Sequence, residues 1–208
     1  MTSIKESSDE PNPAVANSAG EVPPPKRRTL TDYLALAIAT VGVGYFPIAP
    51  GTLGALVGAG LFFTLAEFVQ RGLEAYARGH LAGAPYIFSS HFAFMLVACF
   101  IVTMIGVWAA TRAERLMHKK DPSAVVIDEV AGQMIALLSG PFWIQTWWGP
   151  ITAFILFRAF DIWKPYPIRR LEALESGLGI MADDVLAGIY ALIVNSVVMT
   201  AYMFLFAR

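Results

Sequence analysis

The 208-residue chain has little charge and almost no cysteine. Its one cysteine, Cys99, lies in an apolar run, which excludes a disulfide framework and argues against a thiolate metal site. Only 15% of the residues are charged, against about 25% in soluble domains. The 15 basic and 16 acidic residues nearly cancel, so there is no basic field to hold nucleic acid. No apolar segment with a small-residue cleavage site follows a basic start, so the amino end does not read as a secretory signal. What the chain has instead is apolar surface: 56% hydrophobic residues and a mean hydropathy of +0.57. That excess does not fit an ordinary aqueous fold and predicts one compact membrane domain. Residues 1–29, rich in Pro, Ser, Asn and charge, lack an apolar cluster to offset ordering entropy and are expected to form a disordered tail.

Spanning a bilayer as a helix takes about 20 apolar residues. Four intervals are free of Asp, Glu, Lys and Arg: Tyr33–Ala66, Gly79–Thr111, Val130–Phe157 and Val185–Ala207. The clearest spans fall within Pro85–Ala110 and Val185–Ala207. Their polar members, His91 and Asn195, read as contacts between helices. GVGYFPIAPGTLG, with two prolines and four glycines, breaks the first interval into a short helix (Leu30–Val41), a loop (Gly42–Gly51) and a span (Thr52–Phe68). SGPFWIQTWWGP divides the third into shorter helices near Ser123–Leu138 and Trp147–Phe160, and its aromatics suit a membrane interface. The expected fold is therefore all-α: a polytopic helical membrane bundle of about five spanning helices, over residues 30–208, with a short helix at its amino end. Basic residues before the first helix, in Arg112–Lys120 and in Arg158–Arg170 place the amino end and these connections in the cytoplasm. Gly54-x₃-Gly58 permits close helix contact but fixes no oligomeric state.

The polar groups collect on that cytoplasmic side. Asp128 and Glu129 adjoin an apolar helix with no basic residue within four positions, and such carboxylates are costly unless paired or bound to a cation. Asp161 stands three residues from both Arg158 and Lys164, so it reads either as an ion pair or as a metal ligand. Asp183 and Asp184 precede the last span, where they read either as a helix cap or as ligands. Together these segments predict a carboxylate site for Mg²⁺, which takes oxygen ligands. The Gly-Pro loop, with Gly51 and Thr52 opening a helix, suits a phosphate, and Arg158 and Lys164 add positive charge. Gln133, one turn after Glu129, reads either as a group that positions water or as a contact between helices. There is no Cys-x₅-Arg loop, Asp-x-Asp pair, His-Glu-x-x-His or Gly-x-Ser-x-Gly, and none of His80, His91 and His118 stands within the acidic motifs.

Three stretches resemble the phosphatidylglycerophosphatase A family of bacterial inner membranes: GVGYFPIAPGTLGAL, VVIDEVAGQMIAL, and FRAFDIWKPYPIRRLEALESGLGIMADDVLAGIYA. The resemblance runs from about Thr29 to the carboxyl end. It implies an all-helical, Mg²⁺-dependent enzyme that converts phosphatidylglycerophosphate to phosphatidylglycerol and inorganic phosphate in the cytoplasmic leaflet. Related soluble members imply that some core helices are buried by protein rather than lipid. On this reading Asp128, Glu129, Asp161, Asp183 and Asp184 are candidate Mg²⁺ ligands. Asp128, Glu129, Asp161 and Asp184 are the candidate catalytic residues. Gly51, Thr52, Arg158 and Lys164 hold phosphate. Either a water or one of the carboxylates attacks phosphorus. Three other readings are open: a phosphatase for another lipid phosphate monoester, a transport protein with an acidic ion site, and a structural subunit whose acids are each paired with a base.

Overall fold

The computed structural model describes residues 28–80, 83–138, 146–171 and 174–206, so residues 1–27 of the expected tail and the SGPFWIQ stretch lie outside the described residues. Seven α-helices and one 3₁₀ turn, and no strand, are found among the described residues. They are α1 (Leu30–Thr40), the 3₁₀ turn Val43–Tyr45, α2 (Pro50–His80), α3 (Ala84–Met117), α4 (Ile127–Ala136), α5 (Gly149–Trp163), α6 (Ile168–Leu171) and α7 (Ser176–Phe206).

The start of α1 is fixed by local chemistry. Asp32 Oδ2 accepts from the Thr29 backbone N–H at 2.7 Å and from the Thr29 hydroxyl at 2.8 Å, satisfying a donor the helix end would leave free. Arg112 Nε then donates to Asp32 Oδ1 at 2.6 Å, tying α1 to α3. Asp32 lies outside the long helices, and these three donors hold its carboxyl down to about 2.

Among the described residues, three helices, α2, α3 and α7, are long and apolar enough to cross a membrane, and the expected count of about five is not reached. The physical reason is length. α4 has 10 residues and α5 has 15. At 1.5 Å per residue these reach about 15 Å and about 22 Å, short of the ~30 Å hydrocarbon core. α4 is apolar because it is enclosed by protein: Ile127 and every residue from Val130 to Ala136 are buried. Large side chains such as Phe100, Ile193 and Val197 project outward from the long helices, as lipid contact requires.

Glycines set the distance at which α4 packs. A Cβ on Gly58 of α2 would lie 2.6 Å from the Val130 carbonyl oxygen, and one on Gly54 would lie 2.9 Å from Val126 Cβ. On the other side, a Cβ on Gly188 of α7 would collide with the Gly132 carbonyl. The Gly54-x₃-Gly58 spacing therefore serves packing within the chain. Phe62, Met95, Val130, Met134 and Phe157 fill the space between the helices. The predicted polar contacts are present as well. His91 Nε2 lies 3.3 Å from the Ala66 carbonyl, and Asn195 Oδ1 accepts from the Thr152 hydroxyl at 2.7 Å.

Candidate active site

The amino ends of α2 and α4, the carboxyl end of α5 and the first turns of α7 meet around a cleft of about 640 Å³. Asp128 and Glu129 occupy the first turn of α4. Asp184 comes from α7, which begins at Ser176, so Asp183 and Asp184 are well inside that helix and do not cap it. One carboxylate oxygen each from Asp128, Glu129 and Asp184 lies within 4.8 Å of the other two. Asp128 Oδ1 and Glu129 Oε2 are buried without a hydrogen-bond partner. Burial, followed by the charges of Glu129 and Asp184, holds the Asp128 carboxyl well above its ordinary value. Burial also raises Glu129. An all-oxygen, anionic donor set with unpaired buried oxygens fits a hard divalent cation.

The other two predicted acids are engaged by bases. Arg158 Nη1 donates to Asp161 Oδ2 within α5, and Lys164 Nζ donates to Asp183 Oδ2 at 2.7 Å, joining α5 to α7. Both acids line the cleft but stand outside the three-carboxylate group. Lys164 can reach across because its backbone is left-handed (φ 47), which ends α5 and turns the chain.

Gly51 lies in the first turn of α2 at the edge of this cluster. A Cβ there would collide with Glu129 Oε1 and lie 3.3 Å from Arg158 Nη1, so a larger residue would displace the Glu129 carboxylate. Gly51 lines the cleft. Thr52, the next residue, is half-buried and is not among the described lining residues.

The loop between α3 and α4 contributes residues that the sequence motifs did not single out: Glu114 from the end of α3, then Lys120, Asp121 and Ser123. Nine residues separate Met117 from Ile127, and so short a connection has to pass the amino end of α4, which is the signal that could have found them. Among the described residues the cleft is lined by seven acids and three bases, with Arg158 and Lys164 already in ion pairs. A phosphate dianion entering such a field needs added positive charge.

A larger cavity of about 880 Å³ lies between α2 and α3, lined by Phe62, Phe88, His91 and Met95 among others. Its acids are engaged: Glu67 pairs with Arg71 at 2.7 Å, and Glu74 accepts from Gln70 at 2.7 Å. The unpaired carboxylates are in the smaller cleft.

The long apolar helices and the carboxylate cleft mark a membrane-associated helical protein with a candidate cation site. The family profile of phosphatidylglycerophosphatase A matches residues 36–199. The chain belongs to that family and is a phosphatase. It is 36% identical to a phosphatidylglycerophosphatase A of Haemophilus influenzae over 172 residues, 82% of this chain and 91% of the relative. With one from Escherichia coli it shares 32% over 149 residues, 71% of this chain and 73% of the relative. A Bacteroides thetaiotaomicron protein, provisionally named a phosphatidylinositol-3-phosphatase, is 38% identical over 156 residues, 75% of this chain and 87% of the relative. No solved structure matches the chain.

Proposed function

We propose that this protein hydrolyses phosphatidylglycerophosphate to phosphatidylglycerol and inorganic phosphate at the cytoplasmic face of a bacterial inner membrane, with Mg²⁺ as cofactor. The observation that carries the reading is the convergence of Asp128, Glu129 and Asp184 from two helices, with orphaned oxygens on Asp128 and Glu129, in a chain of this family. The two relatives named phosphatidylglycerophosphatase A support the substrate. The basic connections support the cytoplasmic face, since Lys120, Arg158 and Lys164 line the same cleft as the acids.

Asp128, Glu129 and Asp184 would hold the ion. Mg²⁺, when bound, neutralises phosphoryl oxygens and acidifies a water. Arg158 and Lys164, kept in place by Asp161 and Asp183, present positive charge to the phosphate as its bond to the glycerol oxygen breaks. The Gly51 end of α2 lets the phosphate approach the cluster. Water adds to phosphorus, the glycerol oxygen leaves and takes up a proton, and phosphate is released. The direct attack of water is favoured over a carboxylate nucleophile because the three grouped carboxylates are arranged as ligands. The gathering of the acids in one cleft favours an enzyme over a transport path.

A second reading keeps the chemistry and changes the head group to an inositol phosphate, as the name of the Bacteroides relative suggests. The test is phosphate release by purified protein from phosphatidylglycerophosphate, phosphatidylinositol 3-phosphate and phosphatidic acid, with and without Mg²⁺. Preference for the first, lost in EDTA and restored by Mg²⁺, is the expected result. Equal turnover of all three, or activity indifferent to EDTA, would overturn it.

A further inference from the structure

Gln133 presents a problem that the mechanism above does not use. It lies on α4 one turn after Glu129 and is completely buried. Neither its Nε2 nor its Oε1 has a hydrogen-bond partner. The hydrogen-bonded contact between helices that the sequence allowed is therefore absent. A buried amide without partners is expensive, and an apolar side chain of the same shape would fit this core at lower cost. Every other buried side-chain oxygen found orphaned among the described residues belongs to Asp128, Glu129 or Asp183, in the site itself.

The geometry points to a partner. Residues four apart share a helix face. Glu129 Oε1 is turned toward Gly51, while Glu129 Oε2 is buried and unpaired. We propose that Gln133 is a positioning residue for Glu129: its amide N–H donates to the carboxylate from the core side when the site is loaded, and so fixes the carboxylate for the cation. This rests on the phosphatase reading with its metal. It extends that reading to a residue behind the cleft, since Gln133 is not among the described lining residues. The hydrogen bond pairs one orphaned donor with one orphaned acceptor. It also explains an amide in a helix otherwise filled by Val130, Ala131, Met134 and Ile135.

The test compares wild type with Gln133→Met, which keeps the bulk and removes the amide. Two measurements are made on the purified full-length protein: the midpoint of thermal stabilisation by added Mg²⁺, and steady-state phosphate release. Loss of a partner behind a metal ligand costs about 10- to 100-fold in affinity or activity. The expected result is a Mg²⁺ midpoint at least about 10-fold higher and a kcat lower by a similar factor, with KM unchanged and metal-free stability equal or higher. A purely structural glutamine predicts the reverse: lower metal-free stability and an unchanged Mg²⁺ midpoint, which would overturn the proposal. Should Gln133→Met not fold, Gln133→Asn decides the matter, because its amide is retained but is one methylene too short to reach Glu129. An unaltered Mg²⁺ midpoint in that variant overturns the proposal. Wild type with neither Mg²⁺ stabilisation nor phosphate release would sink the functional reading and this inference together. Active wild type beside an indistinguishable variant sinks the inference alone.

Discussion

Lys164 at the end of α5 donates to Asp183 on α7 at 2.7 Å, across 19 residues of chain, and both side chains are largely shielded from water. Removing either member breaks a largely shielded ion pair. Lys164→Ala and Asp183→Ala are each expected to cost about 3 kcal/mol. The double variant should lose clearly less than the sum, because the pair acts as a unit. Thermal unfolding of the four proteins in one detergent measures both effects.

The three grouped carboxylates should behave in the opposite way. Alanine at Asp128, Glu129 or Asp184 relieves repulsion among buried acids, so metal-free stability should hold or rise. Phosphate release should nevertheless fall by about 10²–10³-fold. Stabilisation of wild type by saturating Mg²⁺, about 2.7 kcal/mol at one hundred times Kd, should vanish in the variants. Turnover at the wild-type rate in all three would remove the proposed site.

Lys120 is exposed on the loop beside the cleft, with no ion pair found among the described residues. An exposed charge contributes about 0.2–1 kcal/mol, so Lys120→Ala should raise KM by about 1.4- to fivefold and leave kcat unchanged. Steady-state kinetics at two salt concentrations checks this, because the difference should shrink as salt screens the charge.

The close helix contacts predict a contrast among glycines. Gly58→Ala would place a methyl group 2.6 Å from a backbone oxygen that cannot swing away, at a cost of about 1–3 kcal/mol. Gly60→Ala, two residues along the same helix, meets nothing within 4 Å and should add about 0.5–1 kcal/mol. Unfolding midpoints of the two variants should move in opposite directions.

Asp32 carries a pH dependence whose sign follows from its depressed carboxyl. The folded state favours the ionised form, so its stabilisation is present above the ordinary carboxylate value and is lost as pH falls toward about 2. Asp32→Asn should flatten this part of the stability profile between pH 5 and pH 2, as followed by far-UV circular dichroism.

Much of this arrangement could be read from residues alone. The Gly-Pro break, the short first helix, the long last helix and the grouping of acids on one side all have local causes in the sequence. The span count did not, because an apolar run looks the same whether lipid or protein covers it. For α4 the cover is α2 and α7, brought close by Gly54, Gly58 and Gly188. The partners of the acids were only half legible. Asp161 with Arg158 is a pair within one helix, whereas Lys164 with Asp183 depends on how α5 meets α7. Asp183 and Asp184 looked like a helix cap because the uncharged run begins just after them, but α7 starts at Ser176. Lys120 was hidden as one of several basic residues in a connection whose path depends on the packing of α3 and α4.

The meeting of Gly132 with Gly188 also has a mechanical consequence. Backbone bears directly on backbone there, and a Cβ on Gly132 would sit 2.6 Å from the carbonyl oxygen of Asp184 itself. A helix crossing a bilayer adjusts its tilt as the hydrocarbon thickness changes. With α4 locked to α7 at that point, the pair must tilt together, so the gap between Asp128 and Asp184 should stay constant in membranes of thin or thick acyl composition.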